Sequence, residues 1–213
     1  VYATAAEAKA DGKYLVNDKG DKVYFGAGDM IFASDDKVID KADRTVIGNP
    51  NPDFYGNIFT SVNWKNLTLS AAFNYSVGND IYNYQRSLLE GGSHFLIHTT
   101  AMAGRWTTEK QQTNIPRVSY EDPMGNSRFS DRWIEDGSYL RLRSLNLNYK
   151  VPVNFSWLQG LQVWVEANNL FTITKYLGGD PEMSAANAVL YQGIDTGCVA
   201  PGRAFTVGLK INL

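Results

Sequence analysis

The strongest constraint on this chain is a two-residue alternation held over runs longer than an ordinary strand. From Leu67 to Val77 one parity carries Leu67, Leu69, Ala71, Phe73, Tyr75 and Val77, and the other carries Thr68, Ser70, Ala72, Asn74 and Ser76. Period two is the mark of a β-strand with one apolar and one polar face. Phe54 to Trp64 alternates similarly, and only Lys65-Asn66 separates the two runs, which predicts a tight hairpin. Three more runs follow. Residues 161–172 set Leu161, Val163, Val165 and Ala167 against Gln162, Trp164, Glu166 and Asn168. Residues 205–213 set Phe205, Val207, Leu209, Ile211 and Leu213 against Thr206, Gly208, Lys210 and Asn212. In 139–151, Leu145, Leu147, Tyr149 and Val151 share one parity while Leu140 and Leu142 hold the other, so a bulge is expected near Ser144.

The links between these runs alternate in length. Two residues join the first pair, about sixty follow at 78–138, then the short 152–160, then about thirty at 173–202. Short turns on one side and long loops on the other, with ten or more residues per strand, describe a membrane β-barrel. A soluble β-sandwich, in particular a carbohydrate-binding module, is the alternative, although its strands are shorter and more evenly spaced. Mean hydropathy is −0.29 and no run of 18 apolar residues exists, which excludes a membrane helix but not strands, whose alternation averages out. Twenty Lys+Arg against 22 Asp+Glu leave no basic field for nucleic acid. The single Cys198 rules out an internal disulfide framework. Residues 1–53 read as irregular, punctuated by turn residues, with 13–16 and 22–25 as hairpin candidates and Asn49-Pro50-Asn51-Pro52-Asp53 as a stiff boundary.

Several strings sharpen this reading. Asp43-Arg44-Thr45-Val46-Ile47-Gly48-Asn49-Pro50-Asn51-Pro52-Asp53-Phe54 resembles a stretch typical of SusC/RagA-type TonB-dependent outer-membrane transporters. Gly78-Asn79-Asp80-Ile81-Tyr82-Asn83, Arg105-Trp106-Thr107 with Ile115-Pro116-Arg117, and Ser130-Asp131-Arg132-Trp133-Ile134-Glu135-Asp136-Gly137-Ser138-Tyr139-Leu140-Arg141-Leu142 are similar to further strings of that family. So are Asn168-Asn169-Leu170-Phe171-Thr172, Thr174-Lys175-Tyr176, Gly179-Asp180-Pro181-Glu182 and residues 201–213. The resemblance keeps the family's order from about residue 28 to the end and implies the C-terminal strands of a large barrel of about 22 strands.

What the resemblance implies is specific. The chain is all-β, with about five antiparallel strands of a transmembrane barrel in the bacterial outer membrane: 1–53 an extracellular loop region, 54–213 strands with extracellular loops at 78–138 and 173–202. Its function is import of oligosaccharides or oligopeptides, with membrane lipids around it, the remaining barrel and plug as missing partners, a SusD-like lipoprotein as lid, and TonB acting through the plug. The chain starts at Val1 without a signal peptide, so a processed chain, a fragment or a separately made piece is expected. The lipid-facing parity is expected at Leu67/Leu69/Ala71/Phe73, at Leu161/Val163/Val165 and at Phe205/Val207/Leu209/Ile211/Leu213.

Other constellations carry little chemistry. Ser127, Ser130 and Ser138 lack a nucleophile elbow, Asp131, Glu135 and Asp136 read as turn caps and ion pairs, and no enzyme is predicted. His94 and His98 read as loop residues rather than zinc ligands. The family's calcium-like loop is shortened here to Ser34–Asp40, without glycines and with Lys37 among the acids. A solvated loop is expected, with calcium at Asp35, Asp36 and Asp40 the alternative; no other cofactor is implied. Tyr82, Tyr84, Trp106 and Trp133, with Arg105 beside Trp106, are the candidate substrate-binding residues, as stacking surfaces for sugars or pockets for peptide side chains. Their alternative is an interfacial aromatic girdle, which Trp64 beside the hairpin turn fits best.

Overall fold

The computed structural model describes every residue except Leu96, Ser156, Asn187 and Leu213. It has two compact units, one of residues 1–47 and 83–133, the other of 48–82 and 134–213. No helix among the described residues is long and apolar enough to cross a membrane.

The first unit contains more regular structure than its turn-rich sequence predicts. Helix α1 (Ala5–Asp11) starts on an N-cap: the Thr4 side chain accepts the Glu7 N–H, and Glu7 reaches back to accept the Ala3 N–H at 2.7 Å. Gly12 ends it with φ +69°. The hairpin candidates become β1 (Tyr14–Val16) and β2 (Lys22–Tyr24), paired antiparallel. Tyr2, Ala8, Phe25, Ile39 and Met124 form the core, with Leu15 and Phe32 packed against it. Helix α2 (Tyr84–Glu90), capped by the Asn83 side chain, interrupts the long 78–138 link. That link therefore folds with residues 1–47 instead of forming one bare loop.

The second unit is built on five strands: β3 (Phe54–Trp64), β4 (Leu67–Val77), β7 (Tyr139–Val151), β8 (Gly160–Thr174) and β10 (Ala204–Asn212). They form one antiparallel sheet in the order β10-β8-β7-β4-β3. Between them, β5 (Asp80–Asn83), β6 (Ile134–Asp136) and β9 (Ile194–Asp195) make a three-stranded sheet from the ends of the long links. Lys65, with φ +53°, turns the β3–β4 hairpin.

Register decides what the faces are. Ile58 pairs with Phe73, Val62 with Leu69, Leu69 with Leu147, Leu147 with Val165 and Val165 with Val207. Directly opposed residues share a face, so all five apolar parities join into one continuous apolar surface. The bulge expected near Ser144 is present. Pairing jumps from Leu142 to Ser144, leaving Arg143 unpaired and returning Leu140 and Leu142 to the apolar face opposite Tyr75 and Phe73. Phe205, Val207 and Leu209 are 61–73% exposed, so no second sheet covers them as a sandwich requires. Leu213, expected on this face, lies outside the described residues.

Gly208 sits on the polar face opposite Trp164, and a Cβ there would stand 2.1 Å from the indole Cε2. Gly208→Val is expected to lower the unfolding free energy of the complete protein in urea by about 1–3 kcal/mol, as overpacking does. Adding Trp164→Ala should recover most of that loss. A loss that persists without the indole would refute the steric account.

Candidate functional site

The polar face is a hydrogen-bonded surface. Ser61 and Ser70 are 3.0 Å apart across β3 and β4, and Thr68 donates to Asn63 at 2.6 Å. Glu166 accepts from Asn146 and Asn168. At the end of the sheet away from the Lys65-Asn66 turn, this surface deepens into a cleft of about 590 Å³.

Local sequence explains each wall. Asn57 and Asn74 oppose each other on the floor, flanked by Tyr55, Ser76 and Tyr139. The stiff Asn49–Asp53 boundary forms one side. The Asn49 side chain accepts the Asn51 N–H at 3.1 Å, and its backbone exchanges hydrogen bonds with Asp80, holding Pro50 to Pro52 at the rim. Gln192 and Gly193 close the end, Gln192 donating to the Pro50 carbonyl at 3.2 Å. Gly193 has φ +71°, and a Cβ there would lie 2.7 Å from the Pro50 ring, so glycine is required. The opposite lip is Pro181, Glu182, Met183 and Ser184.

That lip rests on Arg141, which the bulge at Arg143 turns onto the polar face, paired with Asn74. Arg141 is buried. Its Nη2 donates to Asp180 at 2.5 Å, Nη1 to Glu182 at 2.7 Å and Nε to Thr172 at 3.0 Å. Arg143 reaches the same Glu182 oxygen at 3.3 Å. Behind the lip, Tyr176 donates to Asp195 at 2.6 Å; burial and then that carboxylate push the Tyr176 hydroxyl far above its ordinary pKa, so it stays a donor. Among the described lining residues Glu182 carries the one side-chain carboxylate, and two guanidinium groups balance it. The cleft presents amides, hydroxyls and tyrosine rings without strong net charge. It can hold a neutral polar molecule by hydrogen bonds and ring contacts, and among its described lining residues no nucleophile is paired with a base.

The residues singled out from sequence fall elsewhere. Tyr82 belongs to the second unit, where its backbone N–H donates to Gly193 in the small sheet, next to the cleft's end. Tyr84, Arg105, Trp106 and Trp133 belong to the first unit. Tyr84 opens α2 and is 39% exposed. Trp106 packs against Gly28 and donates to the Ala3 carbonyl at 3.0 Å, while Arg105 donates to the Met102 carbonyl. Trp133 is 0% exposed: it donates to the Arg128 carbonyl, with the Arg132 and Arg86 guanidiniums 4.3 and 5.6 Å from its ring. In this structure it packs the unit and shows no ring face to a ligand. Burial and Arg86 lower the Arg132 pKa to about 10, which leaves it charged at neutral pH. In the acidic loop Asp36 caps the Val38 N–H and Asp40 the Ala42 N–H. Among the described residues no three His, Cys, Asp or Glu side chains converge as a metal site.

Sequence reasoning missed the Asn57–Asn74 floor and the Arg141–Asp180–Glu182 cluster. Its usable signal was Arg141 on the same parity as Leu145 and Leu147, which forces a choice between a bulge and a charge on the apolar face.

No family model matches the chain. TonB-dependent receptor P3 of Formosa agariphila is 35% identical over 181 residues, 81% of this chain and 18% of that protein. TonB-dependent receptor P26 of the same organism is 29% identical over 90% of this chain and 19% of its own length. The chain thus spans about a fifth of the curated relatives it matches. Among solved structures, the RagAB peptide importer in the closed-closed state matches 95% of this chain and 21% of its own, with TM-score 0.69 and 24% identity. The open-open state matches with TM-score 0.67 and 23% identity.

Proposed function

We infer that this chain belongs to the SusC/RagA-type TonB-dependent transporters of the outer membrane and supplies barrel wall and part of the import path for a polar oligomer. One observation carries this reading: the register joins five apolar parities on one side and five polar parities on the other, and the cleft opens on the polar side. The apolar side meets lipid and the polar side faces the lumen. The long links 78–138 and 173–202 lie outside the cell, and Lys65-Asn66 and 152–160 face the periplasm. The cargo is an oligosaccharide or oligopeptide, a surface lipoprotein of the SusD type closes over it, and TonB acts through a plug on the rest of the polypeptide. RagAB, a peptide importer, supports the peptide arm.

Uptake of fluorescent oligopeptide and oligosaccharide pools by cells carrying the complete transporter tests this. One pool is expected to accumulate and to stop on loss of TonB; uptake of neither, or uptake indifferent to TonB, overturns the reading. Topology is checked separately. Protease added to intact cells is expected to cut within 78–138, and cutting at 152–160 instead would invert the assignment.

A further inference from the structure

We propose that Arg141 is a positioning residue for the cleft, fixing the 180–184 lip, and Glu182 with it, against a neutral hydrogen-bond donor on the transported molecule. The inference rests on the import reading above for its ligand, but its geometry stands separately. Arg141 does not line the cleft; it lies beneath two parts of it. Its guanidinium is 5.6 Å from the ring of Tyr139, a floor residue, and its two terminal nitrogens hold Asp180 and Glu182, which flank Pro181 in the lip.

The Arg141–Asp180 half of this bridge is closed to water. The side chains of Arg141 and Asp180 are each 3% exposed, so the pair is not screened as a surface ion pair is. The Asp180 oxygen that takes Arg141 also accepts the Glu182 N–H at 2.9 Å, so one carboxylate sets both the lip backbone and its contact with the strand. Glu182, 35% exposed, is the end of the assembly that reaches the cleft. Its Oε2 is engaged by Arg141 and Arg143, which holds the carboxylate in one orientation and cancels its charge. A carboxylate so held favours a hydroxyl or amide N–H over a cation. Only a planar fork with a third N–H can reach Asp180, Glu182 and Thr172 together; a lysine ammonium on a flexible stem cannot span them.

Two readouts on the complete transporter decide the matter. In hydrogen exchange on the detergent-solubilised protein, Arg141→Met is expected to speed exchange of amides in 182–185 at least about tenfold while 161–172 keeps its protection. Arg141→Lys should fall between. In uptake with whichever labelled pool the wild type accumulates, Arg141→Met should raise KM about tenfold with maximal rate within about twofold, and Arg141→Lys should recover part of that loss. Glu182→Gln, which keeps the shape of the lip, should raise KM without faster exchange. Unchanged lip exchange in Arg141→Met overturns the proposal, as does a loosened lip with unchanged KM. If Arg141→Met does not assemble, Asp180→Asn takes its place under the same expectations. A wild type that takes up neither pool overturns the import reading, while lip exchange still decides whether Arg141 holds the lip.

Discussion

Asp29→Ala is expected to destabilise the unit of residues 1–47 and 83–133 by about 3–5 kcal/mol, roughly the cost of breaking a buried charged network. Asp29 is 0% exposed and saturated with donors. Arg117 gives Nε at 2.8 Å and Nη2 at 3.0 Å, Asn126 gives Nδ2 at 2.9 Å, and Gly26 gives its backbone N–H at 2.8 Å. The Arg117 side chain is 40% exposed and can return to water, so little of the penalty comes from it. The larger share comes from Asn126, which is 2% exposed, and from the Gly26 N–H, both left without an acceptor. Asn126 also accepts the Met30 N–H, so the loss spreads to the chain on both sides of Asp29. Asp29→Asn should cost less, because one oxygen still accepts. Hydrogen exchange across 1–47 and 117–126 in the complete protein measures this. Equal protection in wild type and Asp29→Ala would show that the network carries no stability.

Val207→Arg is expected to cost roughly 2–4 kcal/mol if Val207 lies near mid-bilayer, whereas Thr206→Arg costs much less. The two residues are neighbours on one strand and differ in the face they occupy. Val207 opposes Val165 and is 73% exposed on the apolar side, where a guanidinium would enter hydrocarbon. Thr206 opposes Glu166 on the polar side, where an arginine would meet water and a carboxylate. The measurement is the fraction of complete barrel that reaches its folded, heat-modifiable form in lipid vesicles across a urea series. Equal and mild losses from both substitutions would overturn the assignment of faces, and a greater loss from Thr206→Arg would reverse it.

Much of the sheet was legible beforehand because a strand's alternation is local. Successive side chains leave opposite faces of an extended backbone, so Phe54–Trp64, Leu67–Val77 and Tyr139–Val151 could be bounded from composition by position alone. The bulge was legible for the same reason, since one extra residue is the cheapest way to keep Leu140 and Leu142 with Leu145. Helix α1 was less so: Thr4 caps it, but its seven residues bury only Ala8. Of the candidate binding residues, Trp133 shows the limit most clearly. A tryptophan among arginines and aspartates reads from sequence as a stacking surface or as part of an aromatic girdle, and no local pattern shows that residues 86, 128 and 132 close around it.

The sequence by itself determined the five long strands, their two faces and the hairpin turn, because each follows from the period of the backbone and the chemistry of adjacent residues. The tertiary structure alone decided the cleft and its latch. Its walls come from residues 50–52, 181–184 and 192–193, and Arg141 meets Asp180 across 39 positions of sequence. No local pattern encodes such a meeting. It depends on the order β10-β8-β7-β4-β3, on the one-residue shift at Arg143 that sends Arg141 to the polar face, and on burial that makes its pairing with Asp180 obligatory.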